Sequence, residues 1–176
     1  MVKPSKEQLE TLTMLRARVV DEMTTLGDFN LEQIQFLQTL PLGVLKKNAT
    51  QRHGVTRWLR ETPSNLTVQT VDLHPRLLNP NWLDYGAFVM YHEFLHALGW
   101  RSHDRLFRQM EALWPYPQAA SRGQAFTHEM RMGRAKWHWK CPTCQRQFPR
   151  QRRGAGRFVC RSCRCVLIDV PIQDAQ

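Results

Sequence analysis

Apolar residues fall at helical spacing from the start of the chain: Leu9, Leu12, Leu15, Val19, Met23 and Leu26 recur every three or four positions and stop at Gly27. Ser5 and Gln8 precede this run as a capping box, so the pattern predicts an amphipathic helix. A second start, Asn30 with Gln33, leads into Leu31, Ile34, Leu37 and Leu40 and is stopped by Pro41. From Lys47 to Leu73 the texture changes. Val55, Trp58, Leu66, Val68 and Val71 stand among Thr, Gly, Pro, Ser and Asn, which predicts a small sheet of short strands joined by turns. After Asn79, Pro80 and Asn81, the segment Leu83 to Leu98 is apolar on nearly every side and predicts a buried helix ended by Gly99. A further helix is expected from about Ser102 through Leu106, Met110 and Leu113 to Trp114, where Pro115 and Pro117 follow. Residues 118–135 show little periodicity and read as a linker.

These elements describe one principal α+β domain, residues 1–117, and a small module at residues 136–171, within 176 residues that are 42% hydrophobic and 23% charged. No apolar run approaches the length of a membrane span, so no membrane partner is expected. The five cysteines all lie in the last 36 residues, unlike a disulfide framework spread along a secreted chain, and this points to a reducing, cytoplasmic protein. Charge is just as uneven. Residues 131–176 carry 11 Lys or Arg against Asp169 and Asp174, so nearly all of the net +10 sits in this tail. A near-neutral body with a cationic tail suggests a polyanionic partner.

The predicted buried helix contains His92-Glu93-Phe94-Leu95-His96, the H-E-x-x-H pattern, which projects two imidazoles from one helical face toward a shared metal. Glu93 is placed to act as general base on water activated by that metal, and burying these polar groups without a metal or partners would be costly. A catalytic zinc usually takes three protein ligands, and His103 is the first choice for the third because Gly99 lets the chain reverse. Asp104, Glu111 and Glu129 are weaker alternatives. Tyr85 and Tyr91 are candidates to assist an oxyanion, though packing is the plainer role for each. His53, His74, His128 and His138 have no partner at helical spacing and read as surface or hydrogen-bonded histidines.

Cys141-Pro142-Thr143-Cys144 and Cys160-Arg161-Ser162-Cys163, separated by 15 residues, have the spacing of a structural four-thiolate zinc site. A segment this small has too little core to fold without such a clamp. Cys165 is left over, either as a free thiol or as a ligand in place of Cys163. Around the cysteines lie Arg146, Arg150, Arg152, Arg153 and Arg157, with Trp137, Trp139, Phe148 and Phe158 nearby. The arginines are candidates for phosphate contacts and the aromatics for stacking on unpaired bases; the plainer alternative is a packed ribbon with a solvated surface.

With these residues in view, the chain resembles the SprT-like family of zinc metalloproteases. The likeness rests on Tyr91 through Gly99, His103 and Phe107, which look like the family's active-site segment, and on residues 139–167, which look like its zinc ribbon. It implies a zincin-like fold, catalytic zinc on His92, His96 and His103, Glu93 as general base, and a structural zinc on Cys141, Cys144, Cys160 and Cys163. In this family the third histidine is often set between glycines, whereas Ser102 and Asp104 flank it here. The metzincin pattern also shares Gly99, but His103 falls one residue late for it and no Met-turn is evident. Spartan-type members degrade proteins crosslinked to DNA, so the resemblance implies a protein or peptide substrate, with nucleic acid as a second partner. The alternative from another class is a non-catalytic nucleic-acid-binding or regulatory protein whose function resides in the ribbon.

Overall fold

The computed structural model describes residues 2–49, 51–62 and 65–172; Asp174, counted in the tail charge, lies outside them. The chain divides into two compact units after Gly123. The first unit mixes helix and strand as expected, and the second also contains a helix.

In the first unit, α1 (Lys6–Leu26) and α2 (Leu31–Thr39) begin at the Ser5 and Asn30 capping boxes, both closed by reciprocal hydrogen bonds. Gly27 takes φ 76° after α1, a left-handed turn that costs glycine nothing. The strands β1 (Leu42–Val44), β2 (Gly54–Thr62) and β3 (Asn65–Leu73) form a sheet in the order β1-β3-β2. β3 runs parallel to β1 and antiparallel to β2, which leaves β2 at an edge. The paired strands β2 and β3 are nine residues each, longer than the alternation suggested, and their pairing is interrupted by register shifts near Arg57/Trp58 and Arg60/Thr62.

The buried helix is α3 (Leu83–Ala97), which packs against α1 on one side and β2 and β3 on another. Tyr91, Phe94, Leu95 and Met90 are fully enclosed, as its nearly all-apolar sequence requires. Gly86 allows the close approach of the 3-10 turn Pro75–Leu78, since a Cβ there would stand 2.9 Å from the Leu77 carbonyl. Under the sheet, buried Asp72 accepts from Arg57 Nε at 2.6 Å and Thr70 Oγ1 at 2.8 Å, which compensates its charge.

The helix after Gly99 is shorter than its apolar pattern indicated: α4 spans Arg105–Glu111, capped at its start by Asp104 and at its end by Ala112, before Leu113 and Trp114. Residues 118–135, expected to be a linker, instead contain most of α5 (Pro117–Ser121) and α6 (Gly123–Met132). Ala119, Phe126 and Met130 are buried, so short helices here pack through few apolar anchors that a periodicity reading misses. No helix among the described residues is long and apolar enough to cross a membrane.

The second unit continues from α6 into β4 (Trp137–Lys140), β5 (Gln147–Arg150) and β6 (Ile168–Pro171), antiparallel in the order β5-β4-β6. Cys141, Cys160 and Leu167 form its small buried cluster, with Trp139, Phe148, Cys163 and Cys165 packed around it.

Candidate metal centres and active-site cleft

The Nε2 atoms of His92, His96 and His103 form a nearly equilateral triangle, with separations of 3.2, 3.0 and 3.1 Å. Helical spacing aligns the first two. Gly99 at φ 113° then turns the chain back, with its N–H bonded to the His96 carbonyl, and the reversal delivers His103. Beneath the triangle lies Phe107, fully buried, with its ring centroid 4.9, 4.7 and 4.8 Å from those of His92, His96 and His103. Phe107 is itself fixed by the first turn of α4, where its N–H donates to Asp104 Oδ1 at 2.9 Å.

Hydrogen bonding sets which imidazole nitrogens are available. His96 Nδ1 lies 2.6 Å from the Trp100 carbonyl, and His92 Nδ1 lies 2.6 Å from Glu111 Oε1. Both partners are acceptors, so each Nδ1 carries the proton and donates it, leaving the Nε2 lone pairs directed at one another. Lone pairs this close repel unless a cation lies among them. A tetrahedral zinc with Zn–N of about 2.0–2.1 Å separates its nitrogen ligands by roughly 3.3–3.4 Å, close to the observed triangle. The three histidines thus form a group that fits a metal ion. Burial lowers the pKa of His96 and of His103, which favours the neutral, ligating form.

Of the weaker third-ligand candidates, none belongs to this group. Asp104 is a helix cap. Glu111 supports His92 from behind and accepts from Arg108 Nη1 at 2.6 Å. Burial opposes ionisation of Glu111, but the hydrogen bonds from His92 and Arg108 outweigh it and hold its carboxyl down at about 2. Glu129 lies in α6 of the second unit.

Glu93 is 6% exposed and faces β2. The Thr56 hydroxyl stands 2.8 Å from both its Oε2 and its main-chain carbonyl. Gly54 lets the strand come this close: a Cβ at that position would lie 2.7 Å from Glu93 Cγ and 2.8 Å from Oε1. Burial raises the Glu93 pKa, against the lowering influence of His92 and Thr56. His92, His96, His103 and Glu93 line one cleft with Trp58, Leu66, Phe88 and Val89. Tyr85 also lines it, 2.6 Å from His53 Nδ1, whereas Tyr91 donates its hydroxyl to the Met110 carbonyl and belongs to the core.

In the second unit the cysteine loops repeat one construction. Cys141 N–H donates to the Arg146 carbonyl and Gln145 N–H to the Cys141 carbonyl; Cys160 N–H donates to the Cys165 carbonyl and Arg164 N–H to the Cys160 carbonyl. Gln145 and Arg164 take matching positive φ angles of 59° and 58°. The Sγ atoms of Cys141, Cys144, Cys160 and Cys163 lie within 4.8 Å of one another, and this set fits a metal ion. Cys165 occupies the position that Arg146 has in the first loop, while its Sγ lies 3.3 Å from that of Cys141. A backbone N–H pulls down the thiol pKa of Cys141, to about 6, and likewise lowers that of Cys160.

Among the arginines singled out, Arg146, Arg152, Arg153 and Arg157 are exposed and Arg150 is half-buried. Arg146 donates to Ser162 Oγ, and Arg157 donates to the Gly154 carbonyl. Arg150 lies 4.8 Å from the centroid of Trp139, which is stacked on Phe158 at 4.1 Å, and Arg153 lies 5.1 Å from that of Trp137. Trp139 and Phe158 thus pack on each other, while Phe158 keeps 43% of its surface exposed. His74 is buried and caps the turn that begins at Pro75, while His128 and His138 lie in α6 and β4.

Compared with protein-family models, curated proteins and solved structures, the chain matches none. The residues missing from the sequence reading are Gly54, Thr56, Trp100 and the supporting role of Glu111. Each acts through a strand approach or loop reversal that carries no local motif.

Proposed function

We propose that this protein is a zinc-dependent peptidase of SprT-like type whose second unit is a structural zinc ribbon that binds nucleic acid. The observation that carries the peptidase reading is Glu93, a buried carboxylate held by Thr56 and next in sequence to one of three imidazoles that fit a metal. A purely structural site has no use for it. Zinc suits both donor sets, and on the imidazoles it supplies a Lewis acid that acidifies water and polarises a carbonyl.

Glu93 takes a proton from the attacking water and passes it to the departing amine as the peptide C–N bond breaks. Thr56 fixes the carboxylate's orientation. His92 and His96 keep Nε2 free because Glu111 and Trp100 hold the Nδ1 protons. An extended peptide is a suitable substrate because β2, at the sheet edge, offers backbone donors and acceptors beside the cleft.

The arginine-rich second unit supports nucleic acid as the second partner, and its presence on the same chain would concentrate the peptidase near proteins attached to that nucleic acid. The same arginines favour the second reading, a nucleic-acid-binding protein without catalysis. Cleavage of a DNA-binding protein by the zinc-loaded chain, with and without single-stranded DNA, separates the two. DNA-stimulated cleavage that falls at least a hundredfold in Glu93→Gln is expected; undiminished cleavage in that variant excludes the proposed mechanism, and DNA binding without any cleavage favours the second reading.

A further inference from the structure

Among the described residues the cleft has a positive rim without a carboxylate partner. Its carboxylates are engaged: Glu93 with Thr56, and Glu111 with His92 and Arg108. Arg101 and Arg52 line the same cleft and are exposed. The Arg101 guanidinium stands 4.6 Å from the centroid of the Trp58 ring, and no hydrogen bond or ion pair occupies its N–H donors among the described residues. Contact with the ring restricts the side chain, so the N–H donors not directed at the ring lose less freedom on binding a carboxylate.

Position along β2 relates this cation to the reacting bond. Gly54, Thr56 and Trp58 of this strand all line the cleft; the first two approach Glu93, and Trp58 carries Arg101. Two strand residues cover about 7 Å, so a peptide lying along β2 would meet Arg101 within a few residues of the bond beside Glu93. The apolar lining from Leu66, Phe88 and Val89 favours a peptide over a polyanionic backbone at this place.

We propose that the cleft selects acidic peptide segments, with Arg101, seated on Trp58, binding a substrate carboxylate one to three residues from the bond that is cut. This specificity rests on the peptidase reading. The carboxylate could be an Asp or Glu side chain or the peptide's own C-terminus, and the test separates these sources.

The experiment uses the zinc-loaded full chain carrying Glu93→Gln, which binds without turnover, and labelled unstructured peptides read by fluorescence anisotropy. The peptides differ at one internal position, Glu, Gln or Lys, and each is made with a free or an amidated C-terminus. Glu should bind roughly tenfold tighter than Gln, as expected for hydrogen bonds to a charged group. Adding Arg101→Met should bring the two within twofold, and Arg101→Glu should turn the preference toward Lys. A preference that follows the free C-terminus instead assigns Arg101 to a terminal carboxylate. Equal Glu and Gln affinities in all forms, no peptide binding, or discrimination unaltered by Arg101→Met overturns the proposal. So does Arg101-dependent binding of a single-stranded oligonucleotide with no peptide preference. Cleavage by the chain with Glu93 intact is scored separately: Arg101-dependent selectivity without hydrolysis keeps the acidic groove and rejects the peptidase reading.

Discussion

Glu111 does its work through a hydrogen bond, 2.6 Å from His92 Nδ1, and not as a ligand. Its carboxylate holds the Nδ1 proton and fixes the ring, so Glu111→Ala should weaken metal binding by about 10- to 100-fold, with Glu111→Gln in between. Competition against a chromophoric chelator measures this; unchanged affinity would mean that Phe107 and the helix alone orient His92. Gly54 affects a different step. Its missing side chain makes room for Glu93, so Gly54→Ala must push the carboxylate or the strand away. Metal content should stay the same while hydrolysis falls by roughly a hundredfold, because a displacement of about 1 Å is enough to spoil proton transfer. Zinc analysis alongside peptide turnover separates that outcome from a general loss of fold.

Among the elements, the reversal after α3 joins helix geometry to the third imidazole. Gly99 at φ 113° lies where an alanine is strained, so Gly99→Ala should cost about 1–3 kcal/mol and loosen the metal site, since Trp100 and His103 both follow it. Urea unfolding of the first unit and a metal titration test both effects; a stable variant with full metal affinity would show that the loop can reverse by another route. Where local chemistry was decisive, the fold was legible. Both capping boxes, the all-apolar α3 and the C-x-x-C spacing could be read directly because each depends on residues a few positions apart. Thr56 and Glu93 are 37 positions apart, and their contact depends on the edge position and register of β2, which no short pattern encodes. α5 and α6 escaped notice for another reason: Ala119 is the one buried anchor of a five-residue helix, and Phe126 and Met130, though four apart, are a single pair rather than a repeating stripe.

Across the whole chain, charge and metal divide the two units. If the exposed arginines of the second unit contact phosphates, replacing Arg152 and Arg153 by Ala should reduce the steepness of the salt dependence for single-stranded DNA by up to about 1.4, the release expected for two contacts. An unaltered slope would assign those side chains to solvent. Removal of metal should act unequally. The first unit has an extensive core, including Leu12, Leu15, Met23, Leu37, Tyr91 and Phe94, that does not depend on the imidazole triangle. The ribbon gathers its strands around Cys141, Cys160 and Leu167, a buried cluster too small to hold them together once the metal is gone. A strong chelator should therefore abolish hydrolysis while leaving the first unit folded, and should unfold the ribbon. Limited proteolysis read by mass spectrometry would then show cuts concentrated between Trp137 and Pro171, with a protected fragment reaching the neighbourhood of Gly123. Equal protection of both units without metal would mean that the cysteine cluster is not the ribbon's principal clamp.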